Sequence, residues 1–204
     1  MIGIINYGSG NVGAIGNVYK KLRIPHFISS DIFELEAANR YILPGVGSFD
    51  ATMANLQHSG LIGMLNEQVR GNGKKVLGIC VGMQILAQAS EEGLLAGLGW
   101  IPGRVRKIDS ARILSSLKLP HMGWNSLTSQ ADHPLFKAVD AETGFYFLHN
   151  YFFEAENAKD VMATVTYGAE IPCAVGRANV YGVQFHPEKS HHNGVAIFRN
   201  FSFL

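Results

Sequence analysis

The sequence predicts an α/β fold built on a mostly parallel, doubly wound β-sheet with an antiparallel extension. In the first third of the chain, short apolar runs alternate with amphipathic stretches, which is typical of strands joined by crossover helices. After Leu98 the pattern changes to closely spaced strand-like segments, which indicates hairpins added to that sheet. The 204 residues, 47% of them hydrophobic, suffice for one compact core, so we expect a single domain over residues 1–204.

Short apolar runs mark four strands in the first part of the chain, and amphipathic stretches mark the helices that connect them. The strands are expected at residues 2–7, 26–30, 41–43 and 75–79. The helices are expected at residues 12–22, 48–55, 61–72 and 83–89. The second half predicts strands at residues 104–108, 145–153, 161–167, 173–177 and 180–184, followed by a last helix at 193–201.

The charge and cysteine content exclude several classes of protein. A formal net charge of +1, without a long run of either sign, offers no surface for nucleic acid or an anionic membrane, so neither partner is expected. Two cysteines are too few for a disulfide framework and fit a reducing compartment. The apolar opening at residues 1–6 is too short for a signal peptide, and no apolar run approaches the roughly 20 residues that span a bilayer. We therefore expect a soluble, cytoplasmic protein.

A glycine signature in the first strand-to-helix turn is typical of dinucleotide binding. Gly8, Gly10 and Gly13 form GxGxxG, and Asp31 closes the next strand about 20 residues later. Three glycines in such a turn also arise for backbone reasons alone. A dehydrogenase needs a second mononucleotide-binding half, whereas the rest of this chain carries a different set of residues. Dinucleotide binding is therefore the alternative from another functional class.

Cys80 lies where a predicted strand turns into a predicted helix. Gly78 and Gly82 flank it at minus two and plus two, the spacing of a nucleophile elbow with cysteine in place of serine. At a helix start the macrodipole stabilises a thiolate, and the N–H of Val81 can serve as an oxyanion donor. A lone cysteine is more often a buried apolar residue, but the paired glycines favour a nucleophile. Cys173, inside an apolar run, is expected in the core.

His186 and Glu188 follow the last predicted strand. Pro187 between them disfavours helical geometry at His186, so both side chains can point to one side and Glu188 can orient His186 as a base. The other interpretation is an ordinary polar loop. His191 and His192 add a metal-binding alternative with the same two residues, but the spacing contains neither HExxH nor a CxxC pair.

The strand at residues 41–43 ends in a loop of proline and glycines, PGVG at residues 44–47. Glycines allow backbone N–H groups to turn into a cavity, as an oxyanion hole requires. In a doubly wound fold, loops at the carboxyl ends of neighbouring strands share one crevice, so this loop should lie beside Cys80.

Taken together, these motifs resemble those of the class I, or triad, glutamine amidotransferases. The matching segments are PGVG at 44–47, GICVGMQ at 78–84 and FHPEKS at 185–190. The likeness is closer still to the glutaminase subunits of imidazole glycerol phosphate synthase, over essentially the whole chain. The segments that carry it are INYGSGN at 5–11, PHMGWN at 120–125 and HNY at 149–151. The resemblance implies a flavodoxin-like sheet and no cofactor or metal.

The resemblance also implies a role for each matching residue. The catalytic residues would be the nucleophile Cys80, the general base and acid His186, and the orienting Glu188. The oxyanion donors would be Gly47 and Val81, and the groups binding the amino-acid end of glutamine would be Gln84 and the backbone of Asn150 and Tyr151. Asn11, Trp124 and Asn125 would lie toward a partner subunit, which explains the glycine loop without a dinucleotide.

In that family the partner is a barrel-shaped cyclase subunit, which receives the ammonia through a tunnel and forms the imidazole ring of histidine. The loop Pro44–Gly47 would turn its donor into the site only when the partner's substrate is bound. Two segments, at residues 90–93 and 188–192, resemble paralogues that supply ammonia for sugar amidation in surface polysaccharides. A relative that only binds and no longer catalyses is a further alternative, against which the intact Cys80, His186 and Glu188 argue.

Overall fold

The computed structural model of the chain describes residues 1–109 and 118–204. The strands are β1 (Ile2–Ile5), β2 (His26–Ser29), β3 (Arg40–Gly45), β4 (Lys75–Cys80), β5 (Ala89–Ser90), β6 (Gly103–Lys107), β7 (His121–Asn125), β8 (Leu127–Gln130), β9 (Phe145–His149), β10 (Tyr151–Ala155), β11 (Val161–Tyr167), β12 (Ala169–Arg177) and β13 (Val180–Val183). The α-helices are α1 (Val12–Leu22), α2 (Ile32–Glu36), α3 (Phe49–His58), α4 (Ile62–Leu65), α5 (Val81–Gln84) and α6 (His191–Phe203).

An eight-stranded sheet in the order β2-β1-β3-β4-β13-β12-β11-β8 forms the centre of the fold. The first five strands in this order are parallel, and the remaining pairings are antiparallel. The parallel part has the flavodoxin-like order of a doubly wound sheet, with β13 as its fifth strand. The predicted fold class, including the antiparallel extension, is therefore confirmed.

Two smaller sheets cover one end of the large sheet. β10 pairs with β6, which also pairs with β5, and β7 pairs with β9 in a hairpin-like antiparallel ribbon. Buried aliphatic and aromatic side chains from the large sheet and the helices form one continuous core. The rings of Tyr19 in α1 and Phe198 in α6 meet edge to face within it, with 5.3 Å between centroids. Among the described residues, no helix is both long and apolar enough to cross a membrane.

Most predicted elements are present, and α1 has the predicted bounds. The strand predicted at residues 145–153 is wrong, because the chain breaks at Asn150 into β9 and β10, which pair with strands of two different sheets. The helix predicted at 83–89 ends at Gln84, since the backbone of residues 85–88 bonds to residues 97–103 instead of continuing the helix.

Other differences follow from contacts that local patterns do not contain. The helix predicted at 61–72 is α4 followed by a π-helical segment, Asn66–Gly71. β12 begins at Ala169, well before the predicted residue 173, because it pairs along β11. The elements α2, β7 and β8 were not predicted, and each is a short segment of five residues or fewer.

Candidate active site

Cys80 is the last residue of β4, and α5 begins at the next residue. Its backbone has φ 55° and ψ −115°, a conformation that residues with a side chain rarely adopt. The side chain is 5% exposed and points to the end of the sheet, where it lines a cavity. The predicted elbow is present, with the nucleophile candidate at its tip.

Gly78 and Gly82 make this turn possible, because backbone atoms lie where their side chains would be. A Cβ at Gly82 would lie 2.0 Å from the carbonyl oxygen of Leu43 in β3, and a Cβ at Gly78 would lie 2.5 Å from the carbonyl oxygen of Gly82. Either side chain would collide with backbone, which cannot move aside as a flexible side chain can. The glycine spacing seen in the sequence is therefore a requirement of close strand-to-helix packing.

His186 and Glu188 lie in the turn between β13 and α6. The two side chains are 5% and 3% exposed, and His186 Nδ1 lies 2.9 Å from Glu188 Oε1. The backbone N–H of His186 donates to the carbonyl oxygen of Tyr146 at 2.9 Å, and Ser190 Oγ donates to the His186 carbonyl at 2.7 Å. Glu188 therefore occupies one ring nitrogen and leaves Nε2 for a second partner, as predicted for an oriented base.

The charge state of His186 depends on its two neighbours. Burial by itself lowers the pKa of His186, but hydrogen bonds to Cys80 and Glu188, together with the charges on those groups, outweigh burial and raise the pKa to about 10. His186 is then an imidazolium at neutral pH.

The PGVG loop lies next to Cys80, and residues 7–9 hold it there. Gly47 has φ +93° and lines the same cavity. The N–H of Val46 donates to Ser9 Oγ at 2.9 Å, and the Ser9 hydroxyl donates to the Val46 carbonyl at 3.2 Å. The Tyr7 hydroxyl donates to the carbonyl of Pro44. The loop after β1, which contains Tyr7 and Ser9, thus fixes the conformation of the PGVG loop after β3.

The GxGxxG loop is used inside the protein. A Cβ at Gly10 would lie 2.4 Å from Pro44 Cβ, so this glycine allows the two loops to touch. Asn11 caps α1 by accepting from the N–H of Ala14 at 3.1 Å, and Asp31 caps α2 by accepting from the N–H of Glu34 at 3.0 Å. Gly10 and Asp31, two of the residues that suggested a dinucleotide, therefore have structural roles, and that alternative loses support.

The cavity at the carboxyl end of the sheet has a volume of about 310 Å³. Most predicted site residues line it together. They are Gly47, Cys80, Val81, Gln84, Asn150, Tyr151 and His186. Among the lining residues the single carboxylate is Glu92, whose Oε2 accepts from the N–H of Phe49 at 2.8 Å. Reasoning on the sequence missed Glu92, because a glutamate in a polar loop has no local feature that distinguishes it.

Gln84 and Gln184 form a second contact to the nucleophile that the sequence analysis missed. Gln84 Nε2 donates to the carbonyl of Tyr151 at 3.3 Å and to Gln184 Oε1 at 3.0 Å. Gln184 Nε2 in turn lies 3.8 Å from Cys80 Sγ. Gln184 is fully buried, and its position directly before Phe185 and His186 is the only sequence signal that could have identified it.

The residues predicted to face a partner differ in exposure. Trp124 is 45% exposed and stacks on His191, with 5.2 Å between ring centroids. Asn11 is exposed at the start of α1. Asn125 is half-buried, and its Nδ2 donates to the carbonyl of Thr166 at 3.0 Å. The three residues predicted to face a partner therefore differ in how much of each side chain is exposed.

Four exposed apolar side chains lie in the PGVG loop and in the β7–β9 ribbon. They are Val46, Met122, Trp124 and Leu148, between 38% and 61% exposed. Val46 and Leu148 also line the cavity itself. Within residues 1–109 and 118–204, no group of three or more His, Cys, Asp or Glu side chains is placed to hold a metal ion.

Comparison with known proteins matches the chain to one family. The family model of the class-I glutamine amidotransferases matches residues 13–203. The chain is 50% identical to the imidazole glycerol phosphate synthase subunit HisH of Leptospira borgpetersenii over 204 residues, which is 100% of both chains. It is 49% identical to the HisH subunit of Bdellovibrio bacteriovorus over 202 residues, 99% of each chain.

A solved structure named as a glutamine amidotransferase has the same fold. Its TM-score to this chain is 0.71 at 17% identity, over 100% of this chain and 99% of the other. Identity this low supports the fold alone, whereas the HisH relatives match at half of all positions from end to end. Because fold, family model and full-length relatives agree, this chain belongs to the class-I glutamine amidotransferases, as a glutaminase of the HisH group.

Proposed function

We propose that Cys80, His186 and Glu188 hydrolyse the side-chain amide of glutamine. The observation that carries the proposal is the strained elbow, which places Cys80 in one cavity with a histidine that is paired to a buried carboxylate at 2.9 Å. This is the arrangement of an activated thiol nucleophile whose base is oriented by a third group.

The chemistry follows from the charges of these groups. With His186 already protonated, the Cys80 thiolate attacks the amide carbon, and His186 gives its proton to the departing ammonia. The neutral imidazole then removes a proton from a water molecule that attacks the thioester, which releases glutamate. His186 therefore acts first as an acid and second as a base.

The oxyanion formed at the amide carbon needs backbone donors near Cys80. The N–H of Val81 is the first of α5, so it has no acceptor within the helix. The N–H of Gly47 has no hydrogen-bond acceptor among the described residues, and Gly47 lines the same cavity. We assign both N–H groups to the oxyanion hole.

The polar groups on the Gln84 side of the cavity suit the amino-acid end of glutamine. Both N–H bonds of the Gln84 amide are used by Tyr151 and Gln184, which leaves Oε1 as an acceptor. The carboxylate of Glu92 lines the same cavity. We propose that these two groups bind the α-ammonium, and that the backbone of Asn150 and Tyr151 binds the α-carboxylate.

The ammonia is proposed to pass to a cyclase (HisF-type) subunit of imidazole glycerol phosphate synthase, which uses it to form the imidazole ring for histidine biosynthesis. Two observations support this heterodimer: the full-length relatives are HisH subunits of that synthase, and apolar side chains are exposed in the PGVG loop and in the β7–β9 ribbon. A paralogue supplying ammonia for sugar amidation would use the same three catalytic residues with another partner. The two free cysteines are compatible with the cytoplasm as its location.

The test is glutamate release from glutamine by the chain alone, with the cyclase subunit of a histidine-pathway synthase, and with the cyclase-like partner of a sugar-amidation system. We expect stimulation by the histidine-pathway cyclase, lost in Cys80→Ala. If only the cyclase-like partner of the sugar-amidation system stimulated glutamate release, the chain would be assigned to sugar amidation. Absence of Cys80-dependent hydrolysis in every combination would overturn the glutaminase itself.

A further inference from the structure

Two buried histidines lie at the cavity, and the proposed chemistry does not use them: His149 is one of the lining residues, and His121 contacts it from outside the lining. His121 and His149 are 2% and 6% exposed, and His121 Nδ1 lies 2.9 Å from His149 Nε2. The His121 ring stacks between Phe147 and Tyr167, with centroids 4.6 Å and 4.1 Å away. Packing alone does not explain why two basic side chains are buried next to aromatic rings.

The hydrogen bonds of this pair allow only one arrangement of protons. A backbone carbonyl can only accept, so His149 Nδ1, which lies 2.8 Å from the Tyr151 carbonyl oxygen, must carry a proton. In the neutral ring His149 Nε2 is then an acceptor, so His121 Nδ1 carries the proton between the two rings. His121 Nε2 accepts in turn from Asn125 Nδ2 at 3.2 Å. A second proton on either ring would place two N–H groups against each other.

The Tyr151 carbonyl connects this arrangement of protons to the orientation of the Gln84 side-chain amide. It accepts from both His149 Nδ1 and Gln84 Nε2, which uses both lone pairs of the oxygen. Because an acceptor there requires the NH₂ end of Gln84, the amide cannot turn around, and its second N–H goes to Gln184 Oε1 at 3.0 Å. Gln84 Oε1 is the atom that remains for the substrate.

We propose that His149, held in one tautomer by His121, is a positioning residue that makes the site selective for the α-ammonium group of its substrate. It holds the Tyr151 carbonyl, which keeps Gln84 Oε1 free for the substrate in the cavity that Glu92 also lines. If the amide turned, its NH₂ would face the ammonium and oppose binding. This inference rests on the proposed glutaminase function.

The experiment compares glutamine with glutaramate, which has the same amide and carboxylate but lacks the α-amino group. The two substrates are assayed with the full chain bound to its cyclase subunit, and kcat/KM is determined for each. His149→Asn places an amide nitrogen where Nδ1 stands, two bonds from Cβ. His149→Gln places its nitrogen three bonds from Cβ, where Nε2 stands, and loses the bond to Tyr151. His133→Asn, away from the cavity, is the matched control.

Loss of one buried hydrogen bond is expected to reduce the preference for glutamine over glutaramate about tenfold in His149→Gln, with kcat/KM for glutaramate within about threefold of the wild type. His149→Asn and His133→Asn should retain the preference. A merely structural histidine would lower kcat/KM for both substrates equally, so an unchanged preference in His149→Gln overturns the proposal. If the wild type hydrolyses neither substrate, the glutaminase function itself has failed.

A readout independent of catalysis tests the proton arrangement. The ¹⁵N chemical shifts of the imidazole rings in the wild-type chain should show Nδ1 protonated and Nε2 unprotonated in both His121 and His149 at neutral pH. The Nδ1 proton of His149 should exchange slowly with solvent. An Nε2–H tautomer or a doubly protonated ring at His149 would overturn the inference even if every variant failed to fold.

Discussion

At the scale of single residues, the reactive centre depends on backbone geometry as much as on side-chain chemistry. The φ of 55° at Cys80 costs on the order of 1–3 kcal/mol for a residue with a side chain. The surrounding structure sustains this cost because β4 is paired on both sides and α5 packs against β3. The strain keeps the sulfur exposed to the cavity at the start of a helix.

Gly82→Ala tests the packing of this elbow. The new Cβ would lie 2.0 Å from the Leu43 carbonyl oxygen, so we expect the free energy of unfolding to fall by about 3 kcal/mol. Urea denaturation followed by circular dichroism measures it. The control is Gly13→Ala, because a Cβ at Gly13 meets nothing within 4 Å and should add about 0.5–1 kcal/mol of helix stability. Equal effects of the two substitutions would contradict the packing described for the elbow.

At the scale of elements, two loops at the same end of the sheet act as one unit. The loop after β1 holds the loop after β3 through Ser9, which binds both the N–H and the carbonyl of Val46. Thr52 of α3 also donates to the Val46 carbonyl, at 3.3 Å. The conformation of Pro44–Gly47 is therefore held by side-chain hydrogen bonds from Tyr7, Ser9 and Thr52.

Ser9→Ala tests whether this loop limits activity in the absence of a partner. Without the Ser9 hydroxyl the loop loses both bonds that hold Val46, so the N–H of the next residue, Gly47, is freer to turn toward the cavity and we expect partner-free glutamine hydrolysis to rise about fivefold. Activity with the cyclase bound should change less than about twofold. Glutamate release is the measurement, and Ser202→Ala, whose hydroxyl donates to the Phe198 carbonyl in α6 and does not line the cavity, is the control. An unchanged or lower rate without the partner would count against the switch.

At the scale of the whole molecule, buried neutral histidines make stability depend on pH. Burial lowers the pKa of His121 to about 4, and burial together with the nearby His121 lowers the pKa of His149 to about 3. The unfolded chain takes up protons at these residues below about pH 6.5, whereas the folded chain does not. The contribution of these two histidines to stability is therefore fully present above about pH 6.5 and is lost as the pH falls toward 4.

We expect this loss to reach about 1–2 kcal/mol for each histidine between pH 6.5 and 5. His149→Asn removes one of the two groups, so the free energy of unfolding of this variant should fall about half as steeply over the same range. Urea denaturation at half-unit pH intervals gives both slopes. Identical slopes for the variant and the wild type would mean that His149 is not held neutral by the fold.

Features that depend on neighbouring residues can be predicted from the sequence, whereas features that depend on distant contacts cannot. Cys80 with its two glycines, and His186 with Pro187 and Glu188, are short patterns whose geometry follows from neighbouring residues, and the structure brings both into one cavity. The α/β class follows from the alternation of strands and helices, whereas the flavodoxin-like strand order was implied by the family resemblance. Glu92 and Gln184 could not be found this way, because nothing near them in the chain separates them from ordinary polar residues.

The sequence by itself determined the α/β class, the strained elbow at Cys80 and the pairing of His186 with Glu188, since each depends on residues within a few positions of one another. Three features depend on the tertiary structure alone. They are the break at Asn150, the hydrogen bond from Asn125 to Thr166 and the contact between the GxGxxG loop and Pro44. These depend on which strands pair and which loops meet, over separations of tens of residues. Because of these long-range contacts, the glycine signature that suggested dinucleotide binding supports the PGVG loop instead.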